Sequence, residues 1–138
     1  MTTPGLTGSE PREELPMIET EADPAVFFDG SNLLISYKVA PLSGGGLAIL
    51  QFSDVLEFKA DPLNVDELSE APFPVSAWAF TEITGSDKIT RWAGQAPRYW
   101  SISFNDMTLL VVFERVRLAA QTQEPLSPAK ALGRFLMG

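Results

Sequence analysis

The chain has 138 residues, 45% of them hydrophobic, and a formal net charge of −8 with no histidine and no cysteine. The absence of these two residue types excludes a Ser-His-Asp or Cys-His catalytic site, a zinc site and a thiolate-bound iron–sulfur cluster. The negative charge disfavours nucleic acid as a partner, because the phosphate backbone requires a basic surface.

These properties predict one domain with a substantial hydrophobic core. We expect no cofactor, and no membrane span because the apolar runs are short. The N-terminal residues lack the basic start and the apolar centre of a signal peptide, so we expect a cytoplasmic protein.

The composition of residues 1–23 predicts a disordered acidic tail. They contain three prolines and six acidic residues against one basic residue, Arg12, and therefore carry −5 of the net charge. The apolar group Leu15, Met17 and Ile18 is the exception, and it either contacts the domain or orders on a partner. Because no repeated apolar pattern offsets the entropy of ordering, deletion of residues 1–20 should leave the melting temperature nearly unchanged.

A β domain is predicted over residues 24–120, and its first element is a hairpin. Two runs, residues 25–28 and 31–39, flank Asp29-Gly30, which is a strong signal for a two-residue turn. Alternation in the second run places one side of that strand in the core. The residues on that side are Leu33, Ile35, Tyr37 and Val39.

A long strand is predicted over residues 47–59, with a bulge near Ser53-Asp54, where the alternation of apolar residues shifts by one. The loop that follows, up to Pro74, is crowded with carboxylates, namely Asp61, Asp66, Glu67 and Glu70. Its spacing lacks the alternating ligands, the central glycine and the final glutamate of a helix-loop-helix calcium site. A solvated acidic loop is therefore favoured over a calcium site.

Residues 75–83 predict a further strand, and Ser86 is a candidate cap for one short helical turn that reaches Trp92. Residues 98–118 then alternate around Asn105-Asp106 and predict a second hairpin. Its register places Trp100 opposite Val111, Ile102 opposite Leu109 and Ser103 opposite Thr108.

The second arm of this hairpin is apolar on both faces, so its Leu110 and Val112 need cover from the C-terminal helix or from another chain. That helix, with a preceding linker, is predicted over residues 121–138, since Ser127 can cap it and Pro128 suits its first position. Packing of the helix on its own sheet is favoured over its display to a partner. The predicted fold is mainly β, an antiparallel sheet or sandwich of about six strands with one C-terminal α-helix.

Three segments resemble a group of small bacterial β-rich proteins of uncharacterised function: GGLAILQFSDVLEFK, residues 63–67 and residues 99–108. The resemblance covers roughly residues 45–115. Those proteins show a Phe-His-Asp-x-Thr turn in their last hairpin, where this chain has Asn105 in place of the histidine. The resemblance implies a compact bacterial β domain and no activity that can be transferred.

A non-catalytic protein-binding module is the first functional hypothesis, for instance an inhibitor or immunity-type protein for a basic partner. Its candidate contacts are two aromatic anchors and the acidic loop. They are Trp92, Tyr99, Asp66, Glu67 and Glu70.

Two alternatives remain open. The chain could be a subunit of a homo-oligomeric or larger assembly, built through a sheet edge or the C-terminal helix. It could also be a small carboxylate-based hydrolase, since glycosidic chemistry needs only two carboxyl groups at a fixed separation. The candidate acid–base pairs are Asp54 with Glu57 and Asp66 with Glu67.

Overall fold

The computed structural model describes residues 5–138 and arranges them in nine strands and two α-helices. The strands are β1 (Thr7–Ser9), β2 (Ala25–Phe28), β3 (Leu33–Lys38), β4 (Leu47–Ser53), β5 (Glu57–Asp61), β6 (Phe80–Thr84), β7 (Arg98–Ser103), β8 (Thr108–Phe113) and β9 (Arg115–Thr122). The helices are α1 (Asp87–Arg91) and α2 (Pro128–Leu136). Short 3-10 helices cover Pro41–Ser43, Val65–Glu70 and Ala93–Gln95.

The strands form two antiparallel sheets that pack face to face. One has the order β1-β6-β7-β8-β5 and the other has the order β2-β3-β4-β9. The predicted mainly β fold with a C-terminal helix is confirmed. The strand number exceeds six, because two predicted long arms are each divided between the sheets and the unpredicted strand β1 is added.

Both divisions are crossings from one sheet to the other. The predicted bulge at Ser53-Asp54 is such a crossing, since β4 ends at Ser53, Asp54 has a φ of 53° and β5 begins in the opposite sheet. The second arm of the late hairpin likewise leaves its sheet at Glu114. Arg115 and Asp54 form an ion pair of 2.5 Å that joins the two crossings.

The core between the sheets is built mainly from alternate residues of the central strands β3, β4, β7 and β8, with Phe104 and a few other residues just outside them. Its fully buried members include Leu33, Ile35, Leu50, Phe52, Trp100, Ile102, Phe104, Leu109, Val111 and Phe113. The Trp100 ring stands edge-on to Phe52 and Phe113, with centroids 5.5 and 5.2 Å away. The predicted pairing of Trp100 with Val111 and of Ile102 with Leu109 is confirmed.

The outer face of each sheet has its own cover. The C-terminal helix α2 packs through Leu132 on Leu34 and Ile49, which confirms that it covers its own sheet. One prediction allowed α2 to cover Leu110 and Val112 as well, and α2 does not do so. These two residues pack against Ala71, Phe73 and Tyr99, with Val75, Ile89 and Trp92 around them.

One turn and one strand differ from their predicted form. The loop between β2 and β3 has four residues, because the Asp29 carboxylate accepts the main-chain N–H groups of Ser31 and Asn32 at 2.9 and 2.7 Å and so builds a wider turn. The strand predicted over residues 75–83 begins only at Phe80, since Trp78 has a φ of 50° that an extended strand does not allow.

The N-terminal segment differs most from its prediction. Residues 5–23 are not a free tail: β1 pairs with β6, and Ile18, only 3% exposed, forms a bridge with Val39. We call residues 10–18 the strap, because they pass from the edge of one sheet to the end of the other. Its contacts are made by single residues at irregular spacing, which is why no periodic pattern indicated them.

Candidate functional site

A groove of about 730 Å³ lies between the strap and residues 68–81. Its volume falls in the range typical of ligand sites. The groove is lined by Gly8, Ser9, Glu10, Pro11, Glu13, Leu15, Pro16, Met17, Ile18, Leu68, Ser69, Phe73, Pro74, Val75, Ser76, Trp78, Ala79, Phe80 and Thr81. The strap therefore forms one wall, residues 68–76 in and after the acidic loop form the other, and residues 78–81 around the start of β6 form the floor.

An ion triad holds the middle of the strap in place. Arg98 of β7 donates to both carboxylate oxygens of Glu13, at 2.6 and 2.9 Å, and to both of Glu82, at 2.6 and 3.0 Å. The Trp100 indole also donates to Glu82 at 3.1 Å. The hydrogen bonds from Arg98 hold the pKa of Glu13 below its usual range, so Glu13 stays ionised beside the guanidinium.

Main-chain contacts fix the far end of the strap. The Tyr37 hydroxyl donates to the Pro16 carbonyl at 2.8 Å, and the Ala40 N–H donates to the Met17 carbonyl at the same distance. Burial of Tyr37 raises the pKa of its hydroxyl, which therefore stays a neutral donor. The strap is thus anchored to both sheets.

The opposite wall includes the 3-10 helix Val65–Glu70, which a capping box positions. The Asn64 side chain accepts the Asp66 N–H at 3.0 Å, and Glu67 accepts the Asn64 N–H at 3.2 Å. This orientation brings Leu68 and Ser69 to the groove. The spacing Asn64-x-x-Glu67 is the sequence signature of such a cap and could have shown that Glu67 acts locally.

Trp78, in the floor of the groove, has two features that raise the free energy of the folded protein. Trp78 has a φ of 50°, in the left-handed region that non-glycine residues disfavour. Its indole N–H is buried and has no hydrogen-bond partner within residues 5–138. Backbone strain and an unpaired buried donor on one residue point to a functional position.

The groove is acidic. Two carboxylates, Glu10 and Glu13, line it together with Phe73, Trp78 and Phe80, and the described lining contains no lysine or arginine. Asp66 and Glu70 are exposed on the 3-10 helix that forms part of one wall. Since Glu13 is already paired with Arg98, Glu10 is the lining carboxylate without an ion pair among the described residues.

The structure does not bring the predicted contact residues together. Asp66 and Glu70 lie on the 3-10 helix whose Leu68 and Ser69 line the groove, whereas Trp92 and Tyr99 lie in the separate apolar cluster beside α1. Tyr99 is only 5% exposed, and burial raises the pKa of its hydroxyl to about 12, so it is a core residue rather than a surface anchor. The half-buried Trp92 donates its indole N–H to Glu57 at 3.1 Å.

The carboxylates considered for hydrolysis also have other partners or are exposed. Asp54 pairs with Arg115, and a hydrogen bond from Lys88 holds the pKa of Glu57 below its usual range, opposite to what a general acid needs. Asp66 is exposed and Glu67 caps the 3-10 helix. Within the described residues, no group of three or more potential ligands could hold a metal ion.

Comparison with known proteins adds no relative: no family model, no curated protein and no solved structure matches this chain. The resemblance to small bacterial β-rich proteins therefore stays a prediction. None of the helices in residues 5–138 has the length and apolar character needed to cross a membrane.

Proposed function

We propose that this protein is a non-catalytic binding domain whose groove recognises a basic part of another protein. The observation that carries the proposal is the composition of the groove, in which aromatic side chains lie with Glu10, a carboxylate that has no ion pair among the described residues, and no lysine or arginine is part of the described lining. A lysine or arginine of a partner is the natural complement, because it can pair with a carboxylate while its stem packs on an aromatic ring.

The charge of the whole chain supports the same partner class. A net charge of −8 attracts basic proteins over distances set by the Debye length, about 10 Å at 0.1 M salt, and accelerates their association. Small size, an acidic surface and the lack of histidine and cysteine favour an inhibitor or immunity-type role within this class.

Self-assembly is the second candidate, and the edge strand β2 favours it. Phe27 and Phe28 are each 40% exposed, and residues 25–28 contain no charge that would discourage pairing with another strand. The edge strand β5, in contrast, carries Glu57, Lys59 and Asp61. Light scattering at high concentration tests this candidate, and a strict monomer would remove it.

The binding proposal is tested by capturing partners on immobilised full-length protein at about 50 mM salt, where charges are weakly screened. The decisive comparison is between Glu10→Lys and Glu14→Lys. Both variants reverse one strap charge, but only Glu10 lines the groove, and Glu14 is exposed outside it.

We expect a basic protein to be captured by the unmodified chain and by Glu14→Lys, and to be lost with Glu10→Lys. Its association rate should fall as salt rises to about 500 mM, because the Debye length shrinks about threefold. An acidic partner, or equal loss with both variants, would show that the groove charge does not direct recognition.

A further inference from the structure

We propose that the groove receives an extended segment of the partner, which carries a lysine or arginine and adds its main chain to the free edge of β6 at Phe80. This inference rests on the proposed function and specifies which element of the partner is recognised. It follows from three features of the groove: the end of β1, the indole of Trp78 and the free carboxylate of Glu10.

The pairing between β1 and β6 does not reach the first two residues of β6. Its last pair is Ser9 with Glu82, whereas Phe80 and Thr81 pair only with β7 among the described strands. The Ser103 N–H donates to the Ala79 carbonyl at 3.0 Å. Because hydrogen-bonded and non-hydrogen-bonded pairs alternate along an antiparallel ladder, the N–H and C=O of Phe80 face away from β7 and towards the strap.

The strap cannot complete this ladder. If the register of β1 continued, Pro11 would stand opposite Phe80, and a proline has no N–H to donate to the Phe80 carbonyl. Both residues line the groove. An incoming main chain can supply the missing donor, which is the usual basis of recognition by strand addition.

Trp78, two residues before Phe80, can make a second contact with the main chain of the segment, through its indole N–H. Its buried indole N–H lacks an acceptor and its left-handed φ is unfavourable, so a rearrangement that brings the indole N–H to an acceptor gains a hydrogen bond and releases strain. An extended segment offers carbonyl groups on one side at every second residue, about 7 Å apart. One such carbonyl is the acceptor that Trp78 needs.

Glu10 selects the charge of the segment. It is exposed at the groove and has no ion pair within residues 5–138, whereas Arg98 already occupies both oxygens of Glu13. A basic side chain on the segment therefore meets Glu10 first.

The probe for this inference is a library of random heptapeptides displayed on phage and selected on the full-length protein at about 50 mM salt. We expect selected peptides to carry lysine or arginine. N-methylation should weaken the best peptide about tenfold at the one amide that donates to the Phe80 carbonyl, and N-methylation of the two neighbouring amides should have little effect. Glu10→Gln and Trp78→Phe should each weaken binding about tenfold, and Glu14→Gln less than about twofold, with unfolding midpoints measured for every variant.

The outcomes separate this inference from the proposed function. Strand addition would be overturned if N-methylation did not change the affinity of the selected basic peptides, or if no selected heptapeptide displaced a captured basic protein. Either result would leave the proposal of a basic partner intact. Failure to select any peptide would likewise count against an extended segment. Capture of no basic protein at all would overturn the proposed function as well.

Discussion

Arg98 and Glu13 lie 85 residues apart in the chain, yet their side chains form a two-point ion pair with nitrogen–oxygen distances of 2.6 and 2.9 Å. The Arg98 guanidinium lies over the rings of Trp100 and Phe113, 5.4 and 5.6 Å from their centroids, and its side chain is only 12% exposed. This pair fastens the strap across the edge of the sandwich. The groove wall therefore depends on an interaction with the core.

Loss of this pair should loosen the strap. Glu13→Gln keeps the shape of the side chain but removes the charge, and we expect the free energy of unfolding to fall by about 1.5–3 kcal/mol, the usual value of a charge-assisted hydrogen bond. Urea unfolding measures this change. Glu14→Gln is the matched control, since Glu14 is exposed, and it should change stability by less than about 0.5 kcal/mol. Equal effects would show that the pair does not hold the strap.

Protonation of Glu13 should also lower the stability of the protein in acid. The pKa of Glu13 is lowered in the folded protein, so its contribution is complete above the unfolded value of about 4.3 and is lost as the pH falls through the lower folded value. Thermal unfolding of the unmodified chain and of Glu13→Gln should therefore converge as the pH decreases from about 6 to about 3. A gap that stays constant would contradict a charged Glu13.

Deletion of residues 1–20 tests the strap as a whole. Composition predicted no effect, but the structure buries Ile18 and Pro11 and pairs Glu13, so we expect the melting temperature to fall by at least about 10 °C. Differential scanning calorimetry gives the shift. Removal of the exposed C-terminal residues Met137 and Gly138 serves as the control and should change little. An unchanged melting temperature after the N-terminal deletion would restore the free-tail prediction.

Two neighbouring glycines should respond differently to alanine. Gly45 and Gly46 have φ values of 69° and 75°, so alanine is strained at either position by about 1–2 kcal/mol. At Gly46 a Cβ would also overlap the Thr122 carbonyl oxygen of β9, whereas Gly45 has open space. Denaturant unfolding should therefore show a loss of about 3 kcal/mol or more for Gly46→Ala. Similar losses for both variants would mean that the β9 contact adds nothing.

The packing of α2 can be measured at two leucines on one helix. Leu132 is 6% exposed against Leu34 and Ile49, so Leu132→Ala should cost about 2–3 kcal/mol of unfolding free energy. Leu136 is 46% exposed, and Leu136→Ala should cost less than about 0.5 kcal/mol. A negligible effect at Leu132 would indicate that the helix does not stay on its sheet in solution.

Features with a local or periodic basis were determined by the sequence itself. Alternation identified the inward faces of β3, β7 and β8 and the register of Trp100 with Val111, because side chains in a strand point to opposite faces in turn. Ser86 and Ser127 likewise indicated the starts of α1 and α2, since a capping side chain bonds to an N–H two or three residues away.

The groove was decided only by the tertiary structure. The sheet crossings at Asp54 and Glu114, the cover over Val112 and the strap depend on which surfaces meet after the chain has folded. A contact such as Glu13 with Arg98 joins two single residues far apart in the chain, and it leaves no periodic trace in either segment. Acidic residues near the N-terminus therefore suggested disorder, because the arginine that pairs with Glu13 belongs to a distant strand.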